Sequence, residues 1–188
     1  MNLPNKLSLA RIAMIPLMVV LMLPNDLVCS LLAAAVFGLA SFTDFLDGHI
    51  ARSRNLVTDF GKFIDPVADK LLVLSAFIML IANGLMPAWV VVIVLARELA
   101  VDGLRLVAAT KNHVIAAGML GKIKTVSQMV LILYLMILRF PVLTASAYAG
   151  FNFGTLLSTL GALWVAVITL LSGVDYFMKN SSVILESK

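Results

Sequence analysis

A chain of 188 residues that is 62% hydrophobic and 13% charged, with a mean hydropathy of +1.06, is far more apolar than an ordinary soluble domain, which runs at roughly 45–50% apolar and about 25% charged. That excludes a water-soluble single domain and leaves room for about six spanning helices of roughly 20 residues each, with little left for an extramembrane domain. The net charge of +4 comes from basic residues scattered between apolar runs, which argues against nucleic acid, and Cys29 with His49 and His113 provides neither an intrachain disulfide nor a zinc site.

Charges and Gly/Pro/Asn breakers divide the chain into six predicted helices, read as one all-α membrane domain over 1–188. The first, over 7–23, carries Arg11 inside it and lacks a small-residue cleavage site, so it reads as a retained span and not a removable signal peptide. Pro24, Asn25 and Asp26 separate it from the second helix, 27–52, and the polar stretch 53–59 leads to the third, 60–83. Pro66 is expected to bend that helix by freeing a backbone carbonyl near Lys62. The fourth helix, 87–109, follows Asn83, Gly84 and Pro87; the fifth, 121–142, follows the segment 110–120; the sixth, 156–178, follows a Ser/Gly/Asn-containing stretch over 144–154.

Lysine and arginine in short loops are retained on the cytoplasmic side. With the N-terminus inside, thirteen of the fourteen basic residues fall on the cytoplasmic side, Arg139 being the exception, and this predicts an even number of spans with both termini inside. The same threading puts nine of the ten acids there too, all but Asp26. Carboxylates near apolar helices cost roughly 2.5–3.5 kcal/mol each at a helix centre, so they are usually paired, metal-bound or lining a polar cavity.

The acids cluster where the second helix ends and the third begins. Asp44 and Asp47 are spaced i, i+3, and Asp65 and Asp69 i, i+4, so each pair shares a helical face. Four anions gathered at low dielectric repel one another unless a cation sits among them. Hard divalent ions with oxygen ligands, Mg²⁺ or Mn²⁺, suit this donor set. Gly48 and Gly61 lack a β-carbon and would let a ligand approach the backbone, and Arg52, one turn past Gly48, is suited to a phosphate. The plain alternatives are interhelical ion pairing of the aspartates with Arg52, Arg54, Lys62 and Lys70, and close helix packing at the two glycines.

Asp44, Asp47, Gly48, Ala51, Arg52, Gly61, Asp65 and Asp69 match every fixed position of D-x2-D-G-x2-A-R-x8-G-x3-D-x3-D, eight positions over 26 residues. In this the chain resembles the CDP-alcohol phosphatidyltransferases. The opening segment with Pro4, Asn5, Lys6 and Arg11, the block from Ala96 to Arg105, and Gly121, Lys122, Lys124 and Thr125 look like the branch of that family whose acceptor is sn-glycerol 3-phosphate. Asp102 departs from that branch, which more often has a small uncharged residue there, and it sets an anion near Arg105.

The resemblance implies six spans around a cytoplasm-facing cavity in a bacterial cell (inner) membrane, a homodimer, and transfer of a phosphatidyl group from CDP-diacylglycerol to sn-glycerol 3-phosphate with release of CMP. It implies two divalent cations, bridged by Asp44 and Asp65, one completed by Asp47 and the other by Asp69, which also takes the acceptor's proton. It assigns Gly48, Arg52 and Gly61 to CDP-diacylglycerol, and by position Pro4, Asn5, Lys6 and Thr58 as well, where helix capping is the plain alternative.

A dianionic acceptor needs fixed cations, and Arg97, Arg105, Lys122 and Lys124 are the candidates, against positive-inside anchoring for all four and a salt bridge with Glu98 for Arg97. Lys111 reads as an anchor, His49 as a polar neighbour without a catalytic role, His113 as a loop residue, and Asp175 as the partner of a nearby base. The competing readings are a transferase of the same family with inositol phosphate, serine or a phospholipid headgroup as acceptor, and a cation transporter. Transporter sites usually lie at the bilayer midplane on broken helices, whereas these acids lie toward one interface.

Overall fold

A computed structural model describes residues 3–24, 26–53, 59–111, 115, 118–138 and 153–181, with the side chains at 3–4, 6, 27, 44–53, 59–60, 62–63, 138 and 153–155 outside the description. Among the described residues there are six α-helices and no strand: α1 (Leu3–Met22), α2 (Leu27–Ser53), α3 (Asp59–Ala82), α4 (Ala88–Thr110), α5 (Met119–Leu138) and α6 (Phe153–Lys179). Among the described residues the predicted helices appear in the predicted order. α1 starts at Leu3 and not at 7, because a proline in the first turn of a helix forfeits no intrahelical hydrogen bond. α3 runs unbroken through Pro66.

The chain divides into two compact units, Met1–Leu85 with Ile132–Asn152, and Met86–Leu131 with Phe153–Lys188. In the first unit α1 packs on both α2 and α3, which also touch each other. Its buried face reads Asn5, Ser8, Arg11, Ile15, Met18 and Met22, at helical spacing throughout. The half toward the N-terminus is polar and the rest apolar. On α2 the packing face carries Ala33, Ala34 and Ala40 around Phe37, small residues that let helix backbones approach.

Local chemistry fixes the helix ends. Asp26 Oδ2 accepts from the backbone N–H groups of Val28 at 3.1 Å and Cys29 at 3.2 Å, capping two donors that the first turn leaves orphaned. α3 stops at Gly84, whose φ of 71° is open to glycine at little cost. There Leu85 N–H reaches the Leu80 carbonyl and Gly84 N–H the Ile81 carbonyl, each at 2.9 Å, the paired bonds of a Schellman ending.

In the second unit α4 packs against α6, with Val101, Leu104, Ala108 and Tyr176 forming one apolar cluster. α6 passes close to α5 at Gly161, where a β-carbon would lie 2.7 Å from Leu131 Cδ1.

Large apolar side chains such as Leu17, Leu39, Ile78, Val92, Val130 and Trp164 are exposed on all six helices. Hydrocarbon is the solvent that apolar side chains exposed on every helix match. Met119–Ile137 and Leu156–Lys179 are long and apolar enough to cross a bilayer. Leu7–Met22 and Val28–Thr43 are shorter apolar stretches.

Candidate active site

The carboxylate motif lies across one helix junction of the first unit. Asp44 and Asp47 are in about the last three turns of α2, and Asp65 and Asp69 in about the first three turns of α3. The side chains of Asp44, Asp47, Gly48 and Arg52, and of Pro4 and Lys6 on α1, lie outside the described residues, as does Thr58 entirely. Asp65 and Asp69 are half-buried and Gly61, one turn before Asp65, is buried.

The helix that braces this end is α1. Ser8, fully buried, donates its hydroxyl hydrogen bond to Asp65 Oδ1 on α3. Arg11, also fully buried, donates from Nε to the carbonyl of Ala40 at 3.3 Å, one turn before Asp44 on α2. Asn5 is buried one turn before Ser8. The polar half of α1 therefore faces both acid-bearing helices near their aspartates.

No three of His, Cys, Asp and Glu gather among the described residues, a set that lacks the side chains of Asp44 and Asp47. The donor set nonetheless fits a hard cation. Its members are all carboxylates, each offering two oxygens, and the hydrogen bond that Asp65 accepts from Ser8 comes from a neutral hydroxyl, which fixes the group without offsetting its charge.

The four candidate phosphate cations belong to the second unit. Arg97 on α4 donates from Nε to Ser172 Oγ at 3.1 Å on α6, and its Nη1 lies 3.4 Å from Glu98 Oε1. Its stem runs close to Gly173, where a β-carbon would come within 3.2 Å of Arg97 Cγ, and Nη2 lies near Gly121 on α5. Lys124, 5% exposed, donates to the same Glu98 oxygen. So Arg97 and Lys124 meet on one carboxylate, and the anticipated pairing of Arg97 with Glu98 is present.

Arg105 takes a different partner. It is exposed, donates from Nε to the hydroxyl oxygen of buried Tyr176 at 3.0 Å, and its guanidinium carbon lies 5.5 Å from that ring's centroid. Lys122 is exposed. Asp175 pairs with Lys179 one turn on, at 2.8 Å.

Ser8, Ser172 and Tyr176 carry no signal in the motif. Each is nonetheless marked by a polar stripe at helical spacing in an apolar helix: Asn5, Ser8 and Arg11 on α1, and Thr169, Ser172 and Tyr176 on α6. Such stripes are where helices in a membrane hydrogen-bond to one another.

Residues 1–171 match the family model described as CDP-alcohol phosphatidyltransferase. The chain belongs to the CDP-alcohol phosphatidyltransferase family. It is 48% identical to the CDP-diacylglycerol--glycerol-3-phosphate 3-phosphatidyltransferase of Bacillus subtilis, over 95% of each chain. It is 39% identical to the protein of the same name from Rickettsia typhi, over 94% of this chain and 95% of that one. With the probable phosphatidylglycerophosphate synthase of Mycobacterium tuberculosis it shares 38% identity over 93% of this chain and 79% of that protein. For this phosphatidyltransferase the family match takes in the four aspartates and all four candidate cations, while Ser172 and Tyr176 lie just beyond its end.

Proposed function

We propose that this chain transfers the phosphatidyl group of CDP-diacylglycerol to sn-glycerol 3-phosphate, giving phosphatidylglycerophosphate and CMP, in the synthesis of phosphatidylglycerol and other anionic phospholipids. The observation that carries this reading is its likeness, over 93–95% of its length, to relatives named for that reaction or its product. The whole chain acts as one domain, with six spans, both termini and the active site cytoplasmic, in the bacterial inner membrane as a homodimer. The charge asymmetry and the apolar exposed faces of all six helices support that threading.

In this reading Asp44, Asp47, Asp65 and Asp69 would hold two divalent cations, Mg²⁺ or Mn²⁺. When bound, such a pair neutralises a pyrophosphate and stabilises the entering and leaving oxygens of an in-line displacement. Gly48 and Gly61 leave room for the cytidine diphosphate, Arg52 binds its phosphate, and Pro4, Asn5, Lys6 and Thr58 contact the nucleotide. Asp69 accepts the proton of the acceptor hydroxyl as its oxygen bonds to the phosphatidyl phosphorus and the bond to the CMP oxygen breaks. A carboxylate is a weak base for an alcohol, so the proton passes late in the step.

Arg97, Arg105, Lys122 and Lys124 serve the phosphate of the acceptor. Two of them start from a shared carboxylate, so Glu98 sets how much positive charge reaches the ligand. The test is CMP release by purified protein given CDP-diacylglycerol and sn-glycerol 3-phosphate, inositol phosphate, serine or phosphatidylglycerol. sn-Glycerol 3-phosphate should be preferred. Preference for another acceptor would overturn the acceptor assignment and leave the family standing.

A further inference from the structure

We infer that Ser8 is a positioning residue for the metal site, acting through Asp65; this rests on the proposed role of Asp65 as a ligand. The geometry is specific. Ser8 is wholly buried and its hydroxyl donates to Asp65 Oδ1 across 57 residues of sequence, from α1 to α3. A serine in an apolar helix commonly turns its hydroxyl back to the carbonyl four residues earlier; this one donates to a carboxylate on the neighbouring helix. α1 is fixed beyond it, on the C-terminal side, by Arg11 on the Ala40 carbonyl and by the apolar packing of Ile15, Met18 and Met22.

A carboxylate that is to ligate a cation must present its oxygens in fixed directions. A donor anchored on a separate helix occupies one lone-pair direction of Oδ1 and stops rotation about the Asp65 side chain, which leaves the other directions open for ligation. Groups that orient metal ligands in this way typically account for 10–100-fold in metal affinity or activity. The hydroxyl is neutral, so it orients Asp65 without competing with a cation for its charge.

The test is Mn²⁺ binding to the detergent-purified full chain, read by electron paramagnetic resonance, beside CMP release as a function of Mg²⁺ concentration. Ser8→Ala should weaken Mn²⁺ binding about 10–100-fold and raise the Mg²⁺ requirement to match, with kcat at saturating Mg²⁺ largely recovered. Ser8→Thr keeps the hydroxyl and should stay near wild type. Ser30→Ala, at a buried serine near the opposite end of α2, should leave metal binding unchanged.

A merely structural role predicts something else: Ser8→Ala would lose thermal stability and activity that added Mg²⁺ does not restore. Unchanged Mn²⁺ affinity in Ser8→Ala, while Asp65→Asn abolishes binding, would overturn the role of Ser8 alone. If Asp65→Asn itself binds Mn²⁺ like wild type, the ligand assignment falls and the Ser8 inference with it.

Discussion

On α1 to α3 a half-buried carboxylate of the motif, Asp65, is held by a neutral hydroxyl, whereas on α4 to α6 the buried ammonium of Lys124 and the half-buried guanidinium of Arg97 already share the carboxylate of Glu98. The first arrangement orients an anion and keeps its charge for a ligand. The second stores two cations against one anion, a cluster with a net charge of one. Cations placed in an apolar helix bundle without a partner would be costly, so the second unit includes its own counter-charge. Under the proposed function, an acceptor phosphate would compete with Glu98 for these two cations.

The sharpest way to break this contrast is to remove charge from the first unit. Asp44→Asn or Asp65→Asn should abolish CMP release while the protein stays folded, as judged by its elution profile in detergent, and a chelator should silence the wild type until metal is restored. Turnover that survives chelation would remove the metal from the mechanism.

Next in size is Asp69→Asn, which replaces the proposed proton acceptor with a neutral oxygen still able to ligate. Turnover should fall roughly 10²–10⁴-fold with CDP-diacylglycerol binding largely retained. A large loss of donor affinity with little change in the chemical step would make Asp69 a ligand and nothing more.

In the second unit the expected effects are smaller and depend on the partner. Lys124→Ala should raise the KM for sn-glycerol 3-phosphate about ten- to a hundredfold, with little change for CDP-diacylglycerol, the loss expected when one hydrogen-bonded cation leaves a charged ligand. It also leaves Glu98 to Arg97, 3.4 Å away. Adding Glu98→Gln should therefore free Arg97 for the ligand and recover part of the KM; a double variant no better than the single would show that the shared carboxylate does not govern the site. The smallest change is Tyr176→Phe, which removes the acceptor for Arg105 Nε and keeps the ring. Because Arg105 is exposed, the KM for sn-glycerol 3-phosphate should rise only about 2–5-fold, the effect of a net hydrogen bond of ~0.5–1 kcal/mol.

These contrasts also explain what the amino-acid sequence discloses. The aspartates, Gly48, Arg52 and Gly61 lie within 26 residues across one helix junction, so spacing alone puts them on shared faces. The pair Asp175 and Lys179 is legible for the same reason, being one turn apart. Lys124 and Glu98 are 26 residues apart, Arg105 and Tyr176 are 71 apart, and Arg97 and Ser172 are 75 apart. Those meetings depend on how helices pack, which residue spacing does not encode. Read from the sequence, Arg97, Arg105, Lys122 and Lys124 are one set of candidates, with only Glu98 beside Arg97 and Asp102 near Arg105 to tell them apart; the structure separates them into two that share Glu98, one on Tyr176, and Lys122, which is exposed. Ser8 falls between these cases, since its place in a polar stripe is visible but its partner, 57 residues away, is not.

Under the proposed six-span threading, the buried arginine of α1 also bears on how the chain would enter the membrane during synthesis. A translocon presents nascent helices to lipid one after another, and an arginine near a helix centre disfavours that transfer by roughly 2.5–3.5 kcal/mol. Arg11 gains the Ala40 carbonyl only once α2 has been made, so α1 is expected to wait at the exit and leave as a hairpin with α2. Glycosylation reporters placed after 24 and after 53 would show poor integration of the shorter chain and good integration of the longer one. Arg11→Leu would remove the difference, making the first helix independent of the second at birth.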